Sequence, residues 1–468
     1  MSDVLQSLLK TKLQTVLDNY LTGSTCATNV LNLALSVWSQ NEANILVVDR
    51  VGNLPYLEYY TSPNSVLCFI SDIGVFAISS NMRWITLDGR LLRNDTNLLG
   101  LAWSWGRNDN GQLGNNTNTS RSSPVSVVGG FVDWCDISAG TNHSVAVRSS
   151  GSTWSWGDGT DGKLGDNTNT IFPKSSPVSV VGGFTDWCQA SANREITAAV
   201  RTNGTVWTWG RSFLGILGDN SSVARSSPVS VVGGFTDWCQ ASAGKTHTTA
   251  VRTNGTAWTW GQNQHGQLGD NSTTSKSSPV SVVGSFSDWC QVSANGQAGQ
   301  SNHNVAIRSS GSIWTWGRNN VGQLGDNTTE NRSSPVSVVG GFSDWRQVSA
   351  GNNHTVAVRL VSGSVRSAWA WGNNTNGELG NNAFTARSSP VSVVGGFSDW
   401  CQASGGGIHT VAVRTSGSAW AWGCNRYGRL GDNTTIVRSS PVSVVGGFSD
   451  WCKVSAGEYQ SLGIRGIC

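Results

Sequence analysis

The sequence predicts a mainly β protein, a seven-bladed β-propeller closed by N- and C-terminal strands and preceded by a small α+β domain. Three observations carry this. The stretch "SSPVSVVG" occurs seven times, letter for letter, between Ser122 and Gly446. The Gly of "WxWG" recurs at Gly106, Gly157, Gly210, Gly261, Gly317, Gly372 and Gly423, and the Trp of "DW" at Trp134, Trp187, Trp238, Trp289, Trp345, Trp400 and Trp451, so two anchors count seven units spaced by 51 to 56 residues. Within each unit, short alternating runs are separated by Gly, Asn or Ser-Pro turns, and a period of about 50 built from such strands marks a propeller blade.

Each element follows from its local pattern. "TVAVR" alternates, and in "AWTWG" Trp258 and Trp260 fall on one face with Thr259 on the other. "VSVVG" predicts a further strand, opened by Pro279 and closed by Gly284 in the fourth copy. The repeats begin on "LAWSWG" and end on "QSLGIRG", the second and first halves of one strand pair. Joining them completes a blade from both ends and removes exposed edges. Residues 98–468 are assigned to this propeller and residues 1–97 to the α+β domain. In that domain Val4, Leu5, Leu8, Leu9, Leu13, Val16, Leu17, Tyr20 and Leu21 share one helical face, with Asp3 and Gln6 as a start signal and Gly23 as a stop. From Asn44 the pattern turns to strands: "NILVVD", "LEYYT", "VLCFIS", "GVFAISS" and "RWITLDG".

Composition narrows the function classes. Only 13% of the 468 residues are charged and the net charge is +3, with no run of Lys or Arg, so the basic footprint of a nucleic-acid binder is missing. No apolar run approaches the roughly 20 residues that cross a bilayer, and "MSDVLQSLLKTKLQ" lacks the pattern of a secretory signal. A cytosolically made chain with no nucleic-acid partner and no membrane insertion is expected, although its hydroxyl-rich, low-charge surface suits an exterior protein. Six of the ten cysteines (Cys135, Cys188, Cys239, Cys290, Cys401, Cys452) hold one repeat position, where the seventh copy has Arg346. Equivalent positions of neighbouring blades lie beyond the separation of roughly 5.5–6 Å that a disulfide needs, so they read as small, mostly buried thiols. No Cys or His spacing suggests zinc, no nucleotide-binding or hydrolase motif is present, and no cofactor is expected.

The motif "WGxNxxGQLG", present as "WGQNQHGQLG" from Trp260 and "WGRNNVGQLG" from Trp316 with "SAGxxH" and "AVR" upstream, resembles the repeat of the RCC1 family, named for the regulator of chromosome condensation. The resemblance runs from about Leu101 to Cys468 and implies a seven-bladed propeller. Plant photoreceptors of this fold sense ultraviolet light through a "GWRHT" motif, which is absent here, so light sensing is not expected. The nucleotide exchange of the founding member is weakly supported, since neither a basic tail nor an inserted β-wedge is evident. The segment "GVFAISSNMRWITLDGR" resembles short modules near the N-termini of tail-fibre and other virion proteins of tailed bacteriophages.

Repetition separates frame from specificity. His143, His247, His303, His354 and His409 share the "SAGxxH" position, so they read as strand braces rather than one metal site. An Arg after "AV" and an Asp before Trp recur in all seven units, so neither marks a unique catalytic pair. What varies is the loop after "WxWG" and two insertions, one around "NGQAGQSNH" and one in "AVRLVSGSVRSAW". Candidate recognition residues are therefore Phe213, Leu214, Ile216, His265, Gln297, Gln300, Phe384, Arg426, Tyr427 and Arg429. Leu5, Leu9, Leu13, Val16 and Tyr20 are candidates for attachment or homo-oligomerisation. The expectation is a non-enzymatic virion protein of a tailed phage. Its first domain would dock on other virion proteins, and its propeller loops would meet a host surface receptor or glycan. The alternative is a cellular RCC1-like scaffold that binds a protein partner such as a small GTPase.

Overall fold

The computed structural model describes residues 100–297 and 301–466, together with six short stretches between residues 46 and 92. The chain divides into two compact units, Met1–Leu98 and Leu99–Cys468. In the first, the strands Leu46–Val51, Leu54–Glu58, Cys68–Ser71, Gly74–Ile78, Trp84–Thr86 and Leu91–Leu92 form one sheet in chain order, each antiparallel to the next. The expected helix, with Leu5, Leu9, Leu13, Val16 and Tyr20, lies outside the described residues.

The second unit is a mainly β propeller of seven four-stranded antiparallel sheets. Blade 1 runs from the axis outward as Trp134–Ala139, His143–Arg148, Thr153–Gly157 and Lys174–Ser179. Blades 2 to 6 repeat it, their inner strands beginning at Trp187, Trp238, Trp289, Trp345 and Trp400. Blade 7 takes Trp451–Ala456 and Gln460–Arg465 from the end of the chain and Leu101–Gly106 and Arg121–Ser126 from the start of the repeats. Gln460 pairs with Gly106 and Arg465 with Leu101, which joins the ring.

The outer strand corrects one expectation. It is "RSSPVS", not "VSVVG": in blade 3 it spans Lys276–Ser281 and ends before Val282. Its Pro279 therefore sits inside an edge strand, where a missing N–H costs no ladder bond. Val282 and Val283 still donate their N–H groups to Ala257 O (3.0 Å) and Gly269 O (2.9 Å), folding back onto the blade.

The core lies between neighbouring blades. Val145 and Val147 of blade 1 meet Trp187, Ala190 and Trp209 of blade 2, and all of these are buried. Trp187 and Trp209 pack with their ring centroids 6.0 Å apart. Such edge-on aromatic contacts add roughly 1 kcal/mol to the area they bury. Thr259, on the face opposite Trp258 and Trp260, is also fully buried, and its hydroxyl donates to Leu268 O at 2.6 Å. Blades are thus covered on both faces.

Around the axis, a serine hydroxyl of each inner strand accepts the N–H of the next strand, from Ala192 N to Ser138 Oγ (2.9 Å) through to Ala139 N to Ser455 Oγ (3.0 Å). Beside it, the Gln189 amide donates to Ala241 O and accepts from Ala241 N at 2.8 and 2.9 Å. Gln240, Gln291, Gln347 and Gln402 do the same toward their neighbours. At the seam the pattern changes. Asp136 and Lys453 replace Gln, and Lys453 Nζ reaches Asp136 Oδ1 at 2.6 Å across the junction of blades 7 and 1.

Candidate functional site

The repeated charges and histidines belong to the frame. Each Arg after "AV" binds the Asp of its own unit, as Arg148 Nε does Asp133 Oδ1 at 2.7 Å and Arg465 Nε does Asp450 Oδ1 at 2.8 Å. Each also lies over the Phe of "GGF" or "GSF", from 3.4 Å at Phe342 to 4.4 Å at Phe131. The five repeat histidines are buried. Each meets a side chain of the next blade, for example His303 Nε2 with Thr355 Oγ1 at 2.9 Å and His409 Nε2 with Ser461 Oγ at 2.8 Å. Burial lowers their pKa, to about 3 for His303 and about 4 for His354, so the rings are neutral braces. Among the described residues no group of three metal-ligating side chains converges.

The thiols differ from expectation. Cys188, Cys239 and Cys290 are exposed, Cys135 and Cys401 half-buried, and Cys452 is disulfide-bonded. Each stands at the bulge of its inner strand, between the paired Trp and the residue after the Cys. Cys188 Sγ lies 3.4 Å from Val200 O, and partial burial raises its pKa.

The axial channel encloses about 100 Å³, lined by the inner-strand serines and alanines, with Thr141, Asn193, Asn352 and Glu458 among its rim residues. Its hydroxyls already hold neighbouring blades together, so variation must be sought in the turns after "WxWG".

These turns share one design. In blade 4, Asn319 Oδ1 accepts from Leu324 N at 2.9 Å, and Gln323 Oε1 accepts from Val321 N at 3.0 Å. The second bond recurs where the residue after Gly is Gln112, Gln267 or Glu378, which cap Asn110 N, His265 N and Asn376 N at 2.8 to 2.9 Å. In blades 1, 2 and 6 that residue is Lys163, Ile216 or Arg429, none of which has a side-chain acceptor. There the residue before Gly turns left-handed: Asp161 at φ 60°, Leu214 at φ 53° and Tyr427 at φ 72°. For Leu and Tyr this is a strained conformation, costing on the order of 1 kcal/mol.

Blade 6 builds the most distinctive of these turns. A Cβ on Gly428 would fall 2.3 Å from Ser122 Cα, so only glycine lets the turn lie against the outer strand of blade 7. Arg429 is buried. Its Nε donates to Arg426 O at 3.0 Å and its Nη1 to Glu458 O at 2.8 Å, tying the turn to the inner hairpin of blade 7. Tyr427 meets Tyr459 edge-on with centroids 6.4 Å apart, and the Arg107 guanidinium lies 5.4 and 4.9 Å from the two rings. Exposed Arg426 lies 5.1 Å from the Tyr427 ring.

The sequence-derived candidates divide as follows. Arg426, Tyr427 and Arg429 come together in this corner. Phe213 and Leu214 are 53% and 41% exposed on the turn of blade 2, whereas Ile216, on the same turn, is core. Phe384 is exposed at 56% on the loop leading to the outer strand of blade 5. His265 is half-buried, and burial and Arg318 lower its pKa. Gln297 ends an inner strand, Trp289–Gln297, and Gln300 lies outside the described residues. Arg107 and Tyr459 were missed. The available signal was that Tyr427 and Tyr459 are the only tyrosines after residue 60. The seam pair was also missed, although "DWCD" and "DWCK" depart from "DWCQ" with opposite charges.

Comparison with known proteins gives the family. The model of the RCC1-like domain matches residues 101–463. The chain is 30% identical over 350 residues to the ultraviolet-B receptor UVR8 of Arabidopsis thaliana, covering 73% of this chain and 77% of the receptor. It is 28% identical over 316 residues to the E3 ubiquitin-protein ligase HERC2 of Homo sapiens, covering 66% of this chain but 6% of the ligase. The crystal structure of Prp20p from Saccharomyces cerevisiae, studied for its binding to Gsp1p and histones, superposes with a TM-score of 0.69 at 19% identity, covering 81% of this chain and 96% of that one. These relatives are cellular proteins of plant, human and yeast, which overturns the expected virion location and phage structural role, and leaves virion partners and a host receptor or glycan without support. The strands behind the phage resemblance, Gly74–Ile78 and Trp84–Thr86, pair as an ordinary antiparallel ribbon, a pattern that alternating residues produce in any sheet. The chain belongs to the RCC1-like domain family.

Proposed function

We propose that the chain is a non-enzymatic cellular scaffold whose propeller, residues 98–468, binds a protein partner such as a small GTPase through the turns after "WxWG". One observation carries this reading. On a ring whose blades share axis, core and braces, the turns of blades 2 and 6 give up the cap at the residue after Gly and hold Leu214 and Tyr427 in strained backbone. Strained backbone clusters where side chains meet ligands, and here it lies beside the exposed Phe213 and Arg426, side-chain types that carry contact energy. The reported binding of Prp20p to Gsp1p and histones supports the choice of protein as the class of partner.

The test is retention of purified small GTPases on the immobilised chain, each in its GDP-bound, GTP-bound and nucleotide-free forms. A specific complex that weakens at least tenfold in Phe213→Asp or Tyr427→Ala supports the reading, since central contact residues are worth about 2 kcal/mol or more. Retention unchanged by both substitutions places binding elsewhere.

A further inference from the structure

We propose that the corner between blades 6 and 7 is a docking site for an acidic segment of the protein partner, with the carboxylate held on Arg426 and the neighbouring side chains laid across Tyr427 and Tyr459. This rests on the protein-binding reading above and adds the chemistry of what is bound.

The charge balance of the corner points to a carboxylate. Arg429 is buried at 1% exposure, yet it donates its hydrogen bonds to two backbone carbonyls, and no carboxylate lies within ion-pair distance of it among the described residues. The contrast is blade 1, where the equivalent buried Lys163 has its own Asp158 at 2.8 Å. Glu458 acts on Arg429 only through space, without a direct ion pair, so part of the buried positive charge is left to act at the surface above it. Arg426, on that surface, has no carboxylate partner among the described residues, and its fork is open to a bidentate acid. The two acids nearby are engaged: Asp109 binds the Arg107 guanidinium, and Glu458 Oε2 accepts from Thr141 Oγ1 at 2.8 Å.

The rest of the corner favours polypeptide over phosphate. Tyr427 and Tyr459 meet at right angles and are only half-buried, so although the Arg107 guanidinium lies over both rings, part of each stays open to aliphatic or aromatic side chains flanking an acid. Asp109 and Glu458 flank the same corner. They repel a doubly charged phosphate more than a single carboxylate.

The test uses the full chain and fluorescence anisotropy of labelled poly-glutamate, with labelled poly-lysine and inorganic tripolyphosphate as the other arms. Poly-glutamate should bind, weaken with added salt, and lose at least tenfold in affinity in Arg426→Glu, while Arg426→Lys recovers part of the loss. Both substitutions are at an exposed position, and an unchanged tryptophan emission spectrum confirms the fold. Poly-glutamate binding no tighter than poly-lysine, or equal in wild type and Arg426→Glu, overturns the proposal. Tripolyphosphate that displaces poly-glutamate with the same variant sensitivity overturns it in favour of a phosphate ligand. Self-association that Arg426→Glu abolishes and poly-glutamate leaves untouched overturns it in favour of a second copy. A GTPase complex that survives Arg426→Glu leaves the scaffold reading standing and removes only the acidic segment.

Discussion

The turns of blades 4 and 6 have the same length and the same anchor, yet they present their surfaces differently. In blade 4, Asn319 anchors Leu324 and Gln323 caps Val321 N. In blade 6, Asn425 anchors Leu430 in the same way, but Arg429 reverses the polarity by donating to Arg426 O, and Tyr427 turns left-handed. One residue after the glycine therefore decides whether the turn is a capped part of the frame or a strained display of side chains. The difference teaches that removing a cap, without inserting a loop, is enough to change which side chains a turn displays.

Acid should break the frame common to both turns. Each rests on a buried neutral histidine, His303 or His409, and each burial lowers the pKa. The unfolded chain takes up protons below its ordinary histidine pKa of about 6.5, whereas rings held at about 3 to 4 (His143, His247, His303 and His354) do not. Stability is then full above about pH 6.5 and falls as pH drops toward 4, by roughly 1 kcal/mol per pH unit for each histidine. Urea titrations across this range check it. In His303→Gln the slope should be shallower by one proton, and an unchanged slope would remove the neutral-brace account.

The seam isolates the closing blade from the others. Lys453→Ala leaves the buried Asp136 carboxylate without its cation, at an expected cost of about 2–3 kcal/mol. The pair Asp136→Gln with Lys453→Gln installs the amide used at the other junctions and should recover most of it. A double-mutant cycle read by thermal melting measures the coupling, and additive losses would show that the seam needs no charge pair.

Gln323→Arg should convert the turn of blade 4 toward that of blade 6. It removes the cap on Val321 N and drives Val321 toward positive φ, costing about 1 kcal/mol. A crystal structure in which Val321 keeps negative φ would separate the cap from the backbone conformation. The smallest expected effect is at Cys188, whose exposed thiol only approaches Val200 O. Cys188→Ala should change stability by less than about 0.5 kcal/mol, as chemical denaturation would show.

The propeller was legible because repetition amplifies a weak local signal. Seven aligned "WxWG" and "DW" positions leave one closed arrangement, and "QSLGIRG" with "LAWSWG" shows how it closes. The outer strand was misplaced because "VSVVG" alternates more clearly than "RSSPVS", although hydrogen bonding, not alternation, ends that strand at Ser281. Tyr427 was legible as an aromatic among amides. Tyr459 was not, because it stands in a repeat position read as scaffold, and only the packing of blade 6 on blade 7 brings the two rings together. Ile216 was read as loop surface because it is apolar where the other copies carry Gln, Lys, Glu or Arg, but it points back into the core between blades 2 and 3. The virion expectation rested on the one region without repeats and on the hydroxyl-rich, low-charge composition, and repetition amplified neither signal.

The central claim is that the uncapped turn of blade 6, and not the capped turn of blade 4, meets the partner. Photo-crosslinking from Tyr427→p-benzoylphenylalanine and from Val321→p-benzoylphenylalanine, in cells of the source organism, tests it directly. The account predicts a discrete protein adduct from position 427 that Arg426→Glu removes, and none from position 321. Equal adducts from both positions, or an adduct from 321 alone, would contradict it.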